Sequence, residues 1–165
     1  MTPPRRFAVP LLVGAALVLT SSLRAQPADE LIDKLLELSR AKAKLKADKG
    51  DDPLRRLLVE RYNVAVDELK LRCEDFKKHT ATKAMVVEAG KQLLHADLEL
   101  QDRPADKARV LEKAVELLRW YESRLGRAAG DGLVPRADVL RVRYNRLGLE
   151  IDLARLKKEM AAGGK

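Results

Sequence analysis

Cysteine is almost missing from this chain. Cys73 stands alone, so no disulfide can close within one molecule and packing must hold the fold. Its neighbours put it on the apolar side of a helix, where it serves as a small buried hydrophobe. Histidine is nearly as scarce, with only His79 and His95. A tetrahedral metal site wants three or four ligands, and no ligand-spaced cysteines make up the number. His95 and Glu99 are four apart on a helix and Asp102 lies beyond them, a spacing that charged helices produce by chance. Aromatics amount to one Trp, three Tyr and two Phe, and most apolar positions are Leu, Val or Ala. No stretch alternates apolar with polar residues, which removes the signal for strands. The longest apolar run, Phe7 to Leu19, is about 13 residues, against the roughly 20 needed to span a bilayer.

Catalytic groupings are also lacking. Ser39 and Ser123 stand in no G-x-S-x-G context. Cys73 and His79 are six apart and point to different sides of a helix end. The carboxylate pairs Asp51-Asp52 and Asp67-Glu68 sit at a cap and on a helix face, where nothing excludes water. The residues therefore describe a chain that is not an enzyme, with no cofactor and no metal.

What is present is charge and leucine. Hydrophobic residues make up 46% and charged residues 35% of 165, enough for one modest domain with a densely ionised surface. Residues 1–25 read as a secretory signal peptide: Arg5-Arg6, the apolar run, small polar residues, and a cleavage point after Ala25. That segment carries three arginines and no acid, so its removal takes the net charge from +8 to +5. The remaining basic residues are interleaved with acids, a solvated-face pattern and not a phosphate-reading stripe. Nucleic acid is excluded as a partner. Membrane contact is expected only if the signal stays uncleaved, and the expected location is the periplasm, in the cell envelope.

Apolar residues then recur at steps of three and four, and five helices follow. Residues 26–52 hold an N-terminal helix, near 29–47, and a linker. Its stripe is Leu31, Leu35, Leu38, Ala41 or Lys42, and Leu45. Asp52-Pro53 restarts the chain as an N-cap and first-turn proline. The second helix, near 53–78, carries a coiled-coil-like seam of Leu54, Leu58, Tyr62, Ala65, Leu69, Cys73 or Arg72, and Phe76. The third, near 83–102, offers Ala84, Val87, Leu94, Leu98 and Gln101. The fourth, near 105–129, offers Ala108, Leu111, Val115, Leu118, Tyr121, Leu125 and Ala128, and ends at Gly130-Asp131-Gly132. The fifth, near 135–160, offers Leu140, Tyr144, Leu147, Ile151 and Ala154; residues 161–165 are a flexible tail. The fold class is all-α, an antiparallel bundle or elongated pair of helical hairpins with coiled-coil-like packing.

At an offset of 53 the chain matches itself: Ala84 with Ala137, Val86 with Val139, Val87 with Leu140, Leu94 with Leu147, and 97–100 with 150–153. The domain at 53–160 thus reads as two helix–loop–helix units. The run Gly132 to Leu147, with Asp138, Val139, Leu140 and Leu147 after a glycine-containing turn, resembles a segment of TolC-like outer-membrane efflux proteins, which also duplicate a helical hairpin. Val134 stands where that family places Ser or Thr, and no barrel strand is present. The resemblance implies the periplasmic helical region only, in a short exported variant.

The expected role is structural: self-association, or association with an envelope protein, through helical faces. Candidate interaction residues are the aromatics Tyr62, Phe76, Trp120, Tyr121 and Tyr144, with Tyr121 on the core stripe and Trp120 at its flank. The alternative is a ligand- or metal-binding helical module of the envelope, near His79 and His95.

Overall fold

The computed structural model describes residues 27–48 and 50–163; the candidate export segment lies outside them. The described chain is all-α, with α1 (Pro27–Ala41), α2 (Pro53–Lys77), α3 (Lys83–Leu100), α4 (Pro104–Gly130) and α5 (Arg136–Gly163), and no strand among the described residues. The helix starts are chemically explicit. The Asp52 carboxylate accepts the Arg55 N–H at 2.9 Å ahead of Pro53, and the Thr82 hydroxyl accepts the Met85 N–H at 3.4 Å. Each satisfies a donor that a helix start leaves over.

α2 with α3, and α4 with α5, form two antiparallel hairpins that succeed one another in chain order. Among the described residues α5 packs against α4 alone, whereas α1 lies across α2, α3 and α4. The four long helices therefore form a row, with α1 laid over its first three members.

Both hairpins turn in the same way. At the first, the Thr80 N–H reaches the Asp75 carbonyl at 2.9 Å and the His79 N–H reaches Phe76 at 2.9 Å. At the second, Leu133 reaches Ala128 at 2.8 Å and Gly132 reaches Ala129 at 3.2 Å. His79 and Gly132 both take positive φ, 59° and 72°. This paired hydrogen bonding around a left-handed residue is the Schellman ending, and the two residues lie 53 apart, the offset of the sequence match.

The core is centred on α1, α2 and α3. Leu69 and Cys73 of α2 are fully buried, with Ile32 and Leu35 of α1 and Val86 and Leu93 of α3 around them, and Tyr121 and Leu125 of α4 close the cluster. Burial pushes the Cys73 thiol up to about 11, so it has no thiolate character at neutral pH.

The expected stripes of α2 and α4 face inward, except that Leu54 is exposed. Four other expectations need correction. α1 stops at Ala41, six residues early. Lys42 and Lys46 would be like charges one turn apart in a continued helix. Lys42 instead forms an ion pair with Asp97 of α3, and Leu45 exchanges two 2.9 Å hydrogen bonds with the Asn63 amide. In α3 the buried stripe is Val86, Ala89, Leu93, Ala96, Asp97 and Leu100, one position off the expected one. That helix has two adjacent apolar stripes, and α1 and α2 cover the first of them. In α5 the expected core stripe lies outward, and the helix continues to Gly163 where a frayed tail was expected from residue 161.

Candidate interaction surface

α5 begins after the Gly132 turn and returns along α4. Its inward residues are Val139, Val142, Arg146, Leu149, Leu153 and Leu156, all half-buried. None of its residues whose burial is described is buried. Val139 and Val142 pack against the core cluster, and ion pairs add to the attachment. Arg146 donates from Nε to Glu122 at 2.6 Å and from Nη1 to Glu150 at 2.7 Å. Arg119 of α4 donates to the other oxygen of Glu150, at 3.0 and 2.6 Å, and Lys157 lies 2.7 Å from Glu112. Hydrogen bonding from Arg119, with help from Arg146, holds the Glu150 carboxyl below its ordinary value, and the bonds to Glu122 and Glu150 raise Arg146.

On the other side of α5, Leu140, Tyr144, Leu147 and Ile151 are exposed, Tyr144 at 78%. At about 100° per residue they fall within a roughly 60° arc, on the far side of the helix from α4. Steps of four, three and four in so narrow a stripe make a coiled-coil seam and not the broader face of a helix packed on a globular core. Arg136, Arg141, Arg143 and Arg155 border it and are exposed.

The other aromatic candidates lie elsewhere. Tyr62 and Tyr121 are buried, Tyr121 at 2%, and Phe76 packs half-buried on the core. Trp120 is half-buried at the flank of the core stripe. Its ring stacks on Tyr121 with centroids 6.3 Å apart, and it receives the Lys34 ammonium at 4.7 Å and the Arg124 guanidinium at 6.0 Å. Of the five, Tyr144 is the fully exposed one. The leucines and isoleucine beside it were readable as a helical stripe, but the sequence carried no sign that the stripe faces solvent.

Two polar features complete the description. Asp97, one of two buried polar residues among those described, pairs with Lys42 and accepts from Gln101 at 3.0 Å. Lys42 also lies 5.5 Å from the Tyr62 ring centre, and burial pushes the Tyr62 phenol up. This cluster fastens the end of α1 to α3. A groove of about 460 Å³ runs between α3, α4 and α5, with Leu94, Leu98, Leu111, Leu149 and Leu156 on its floor and His95, Asp152 and Glu159 on its rim. His79 lines a separate hollow beside Asp33 and Phe76, so the two histidines serve different sites. Glu99, one turn from His95, is held by Arg61 at 2.5 Å. Among the described residues no group of His, Cys, Asp and Glu is placed to hold a metal, and no helix is long and apolar enough to cross a membrane.

Comparison with protein-family models, curated proteins and solved structures finds no match to this chain.

Proposed function

We propose that this chain is an exported helical interaction protein of the cell envelope, working by docking through helix faces and not by catalysis. The observation that carries the reading is the bare seam of α5. A helix that exposes Leu140, Tyr144, Leu147 and Ile151 leaves a contiguous apolar strip in water, and such strips mark interaction sites. Export is supported by the order of residues 1–25, and the placement among envelope proteins by the resemblance of residues 132–147 to TolC-like helical hairpins. The matching hairpin turns at His79 and Gly132 support reading the two units as a duplication.

A photocrosslinking residue at position 144 tests the docking reading in intact cells. Adducts are expected there and not at position 91, an exposed site on α3; equal or absent crosslinking at both would defeat it. Intact mass of the envelope fraction tests export, with loss of residues 1–25 expected.

The groove beside His95 favours a second reading, a module that takes a small amphiphilic ligand on a leucine floor with a charged rim. Its mark would be a ligand-dependent rise in melting temperature, removed by Leu98→Glu.

A further inference from the structure

A row of helices has two ends, and here both ends are apolar. α5 closes one end with its bare seam. α2 closes the other: Leu57, Val64 and Leu71 are exposed at seven-residue intervals, on the side away from the buried Tyr62, Leu69 and Cys73. Within the row, the equivalent surfaces are already in use. At the 53-residue offset Leu140, Leu147 and Ile151 of α5 correspond to Val87, Leu94 and Leu98 of α3. Val87 packs on the core, and Leu94 and Leu98 share the groove with Leu111 of α4. So that side of α3 meets α4, the first helix of the next hairpin, while the same side of α5 meets nothing among the described residues. Aligning the two opening prolines sets Leu57 and Val64 of α2 against Ala108 and Val115 of α4, which are buried.

Charge separates the available occupants. Two α5 seams face to face would bring Arg136 and Arg141 of each copy together, and like charges across a helix seam oppose pairing; Arg143 and Arg155 lie nearby but reach Glu122 at 3.9 Å and Asp152 at 3.7 Å within the chain. The α2 stripe is instead bordered by Glu60, and by Asp67 and Glu68, which Lys44 and Arg72 reach at 2.7 and 3.7 Å. Arg61 and Arg72 border it too, but Glu99 at 2.5 Å and Glu68 at 3.7 Å engage them within the chain.

From the repeat, the two bare stripes and their borders, we infer that the α5 seam takes the outer face of α2 from a second copy of this chain, continuing the row head to tail. The inference rests on the docking reading and names the partner and surface for it. A contact between two different faces does not close on itself as a twofold dimer does. It builds a ring or an open filament according to the angle between copies, as stacked helical hairpins do in solenoids.

Sedimentation velocity on the whole chain tests this with two surface variants, Leu140→Glu/Leu147→Glu on α5 and Leu57→Glu/Val64→Glu on α2. All four sites are exposed, and unchanged helicity by circular dichroism checks that each variant folds. The unmodified chain is expected to grow with concentration beyond a dimer. Each variant alone is expected to remain monomeric, and an equimolar mixture of the two to form a dimer, since each supplies the face the other lacks. An α2 variant that associates as well as the unmodified chain would overturn the inference in favour of α5 self-pairing. A chain that is monomeric throughout overturns it as well. If position 144 then still crosslinks to a different envelope protein, the docking reading survives; if it crosslinks to nothing, both fall. Binding to anionic vesicles through Leu140 and Leu147, without self-association, would assign the seam to lipid and would also overturn it.

Discussion

α3 and α5 are the returning helices of the two hairpins, and their sequences match at an offset of 53, yet α3 buries six residues and α5 buries none among the described residues. Val86 of α3 is fully enclosed, while its counterpart Val139 is half-buried. Asp97 is buried against Lys42, while its counterpart Glu150 is half-buried between two arginines. The difference is one of neighbours. α3 touches α1, α2 and α4, and α5 touches α4 only. Similar helices thus acquire different thermodynamic roles, α3 as core and α5 as an edge held on one side by half-buried apolar residues and ion pairs.

The sharpest way to break this contrast is to truncate leucine in each region. Leu69→Ala, in the enclosed part of α2, is expected to cost about 2–5 kcal/mol in urea unfolding through lost burial and the cavity left behind. Leu147→Ala on the α5 seam is expected to cost less than about 0.5 kcal/mol in the monomer. Equal costs would mean that α5 is covered in solution.

Next in size is the fastening of α1. Asp97→Ala removes the partner of a mostly enclosed lysine and is expected to lower stability by about 1–3 kcal/mol. Adding Lys42→Met should return most of that loss, because no uncompensated charge then remains. A double variant as unstable as the single one would show that the ion pair is not the source.

The two turns permit a matched exchange. Gly132→Ala places a side chain at φ 72°, with nothing within 4 Å to clash, so its cost of about 1 kcal/mol is conformational. His79→Gly relieves the same strain at φ 59° and should stabilise by up to about 1 kcal/mol, less the added freedom of the unfolded chain. Thermal unfolding of both variants would show whether the hairpins turn by one mechanism.

The smallest effect concerns acid. The Glu150 carboxyl is held below its ordinary value of 4.5 by Arg119 and Arg146. A lowered folded-state value means that its contribution is complete above about pH 4.5 and is lost as pH falls through the lowered value. Hydrogen-exchange protection in α5 is therefore expected to decline in that window before protection in α3 does. Simultaneous loss in both helices would mean that they open as one unit.

The start of α2 and the turn after α4 were readable from residues alone because their causes lie within a turn of one another. Asp52-Pro53 and the glycine at 132 act through bonds to groups a few residues away. The inward seams of α2 and α4 were readable too, since each of those helices has one dominant apolar stripe. The reading failed where two stripes compete. α3 has adjacent ones, and the choice between them fell to α1 and α2. α5 has nearly opposite ones, Val139-Val142-Leu149-Leu153 and Leu140-Tyr144-Leu147-Ile151, and periodicity gives both the same score. The early end of α1 was hidden for a related reason, because Lys42 finds Asp97 and Leu45 finds Asn63 only when the helices are assembled.

Helicity, hairpin order and turn chemistry thus came from interactions between near neighbours along the chain. The identity of the buried face, the isolation of Tyr144 from the other aromatics and the bareness of α5 came from contacts between residues far apart in sequence. Apolar side chains carry no label for which surface will cover them; only the packed neighbours supply it.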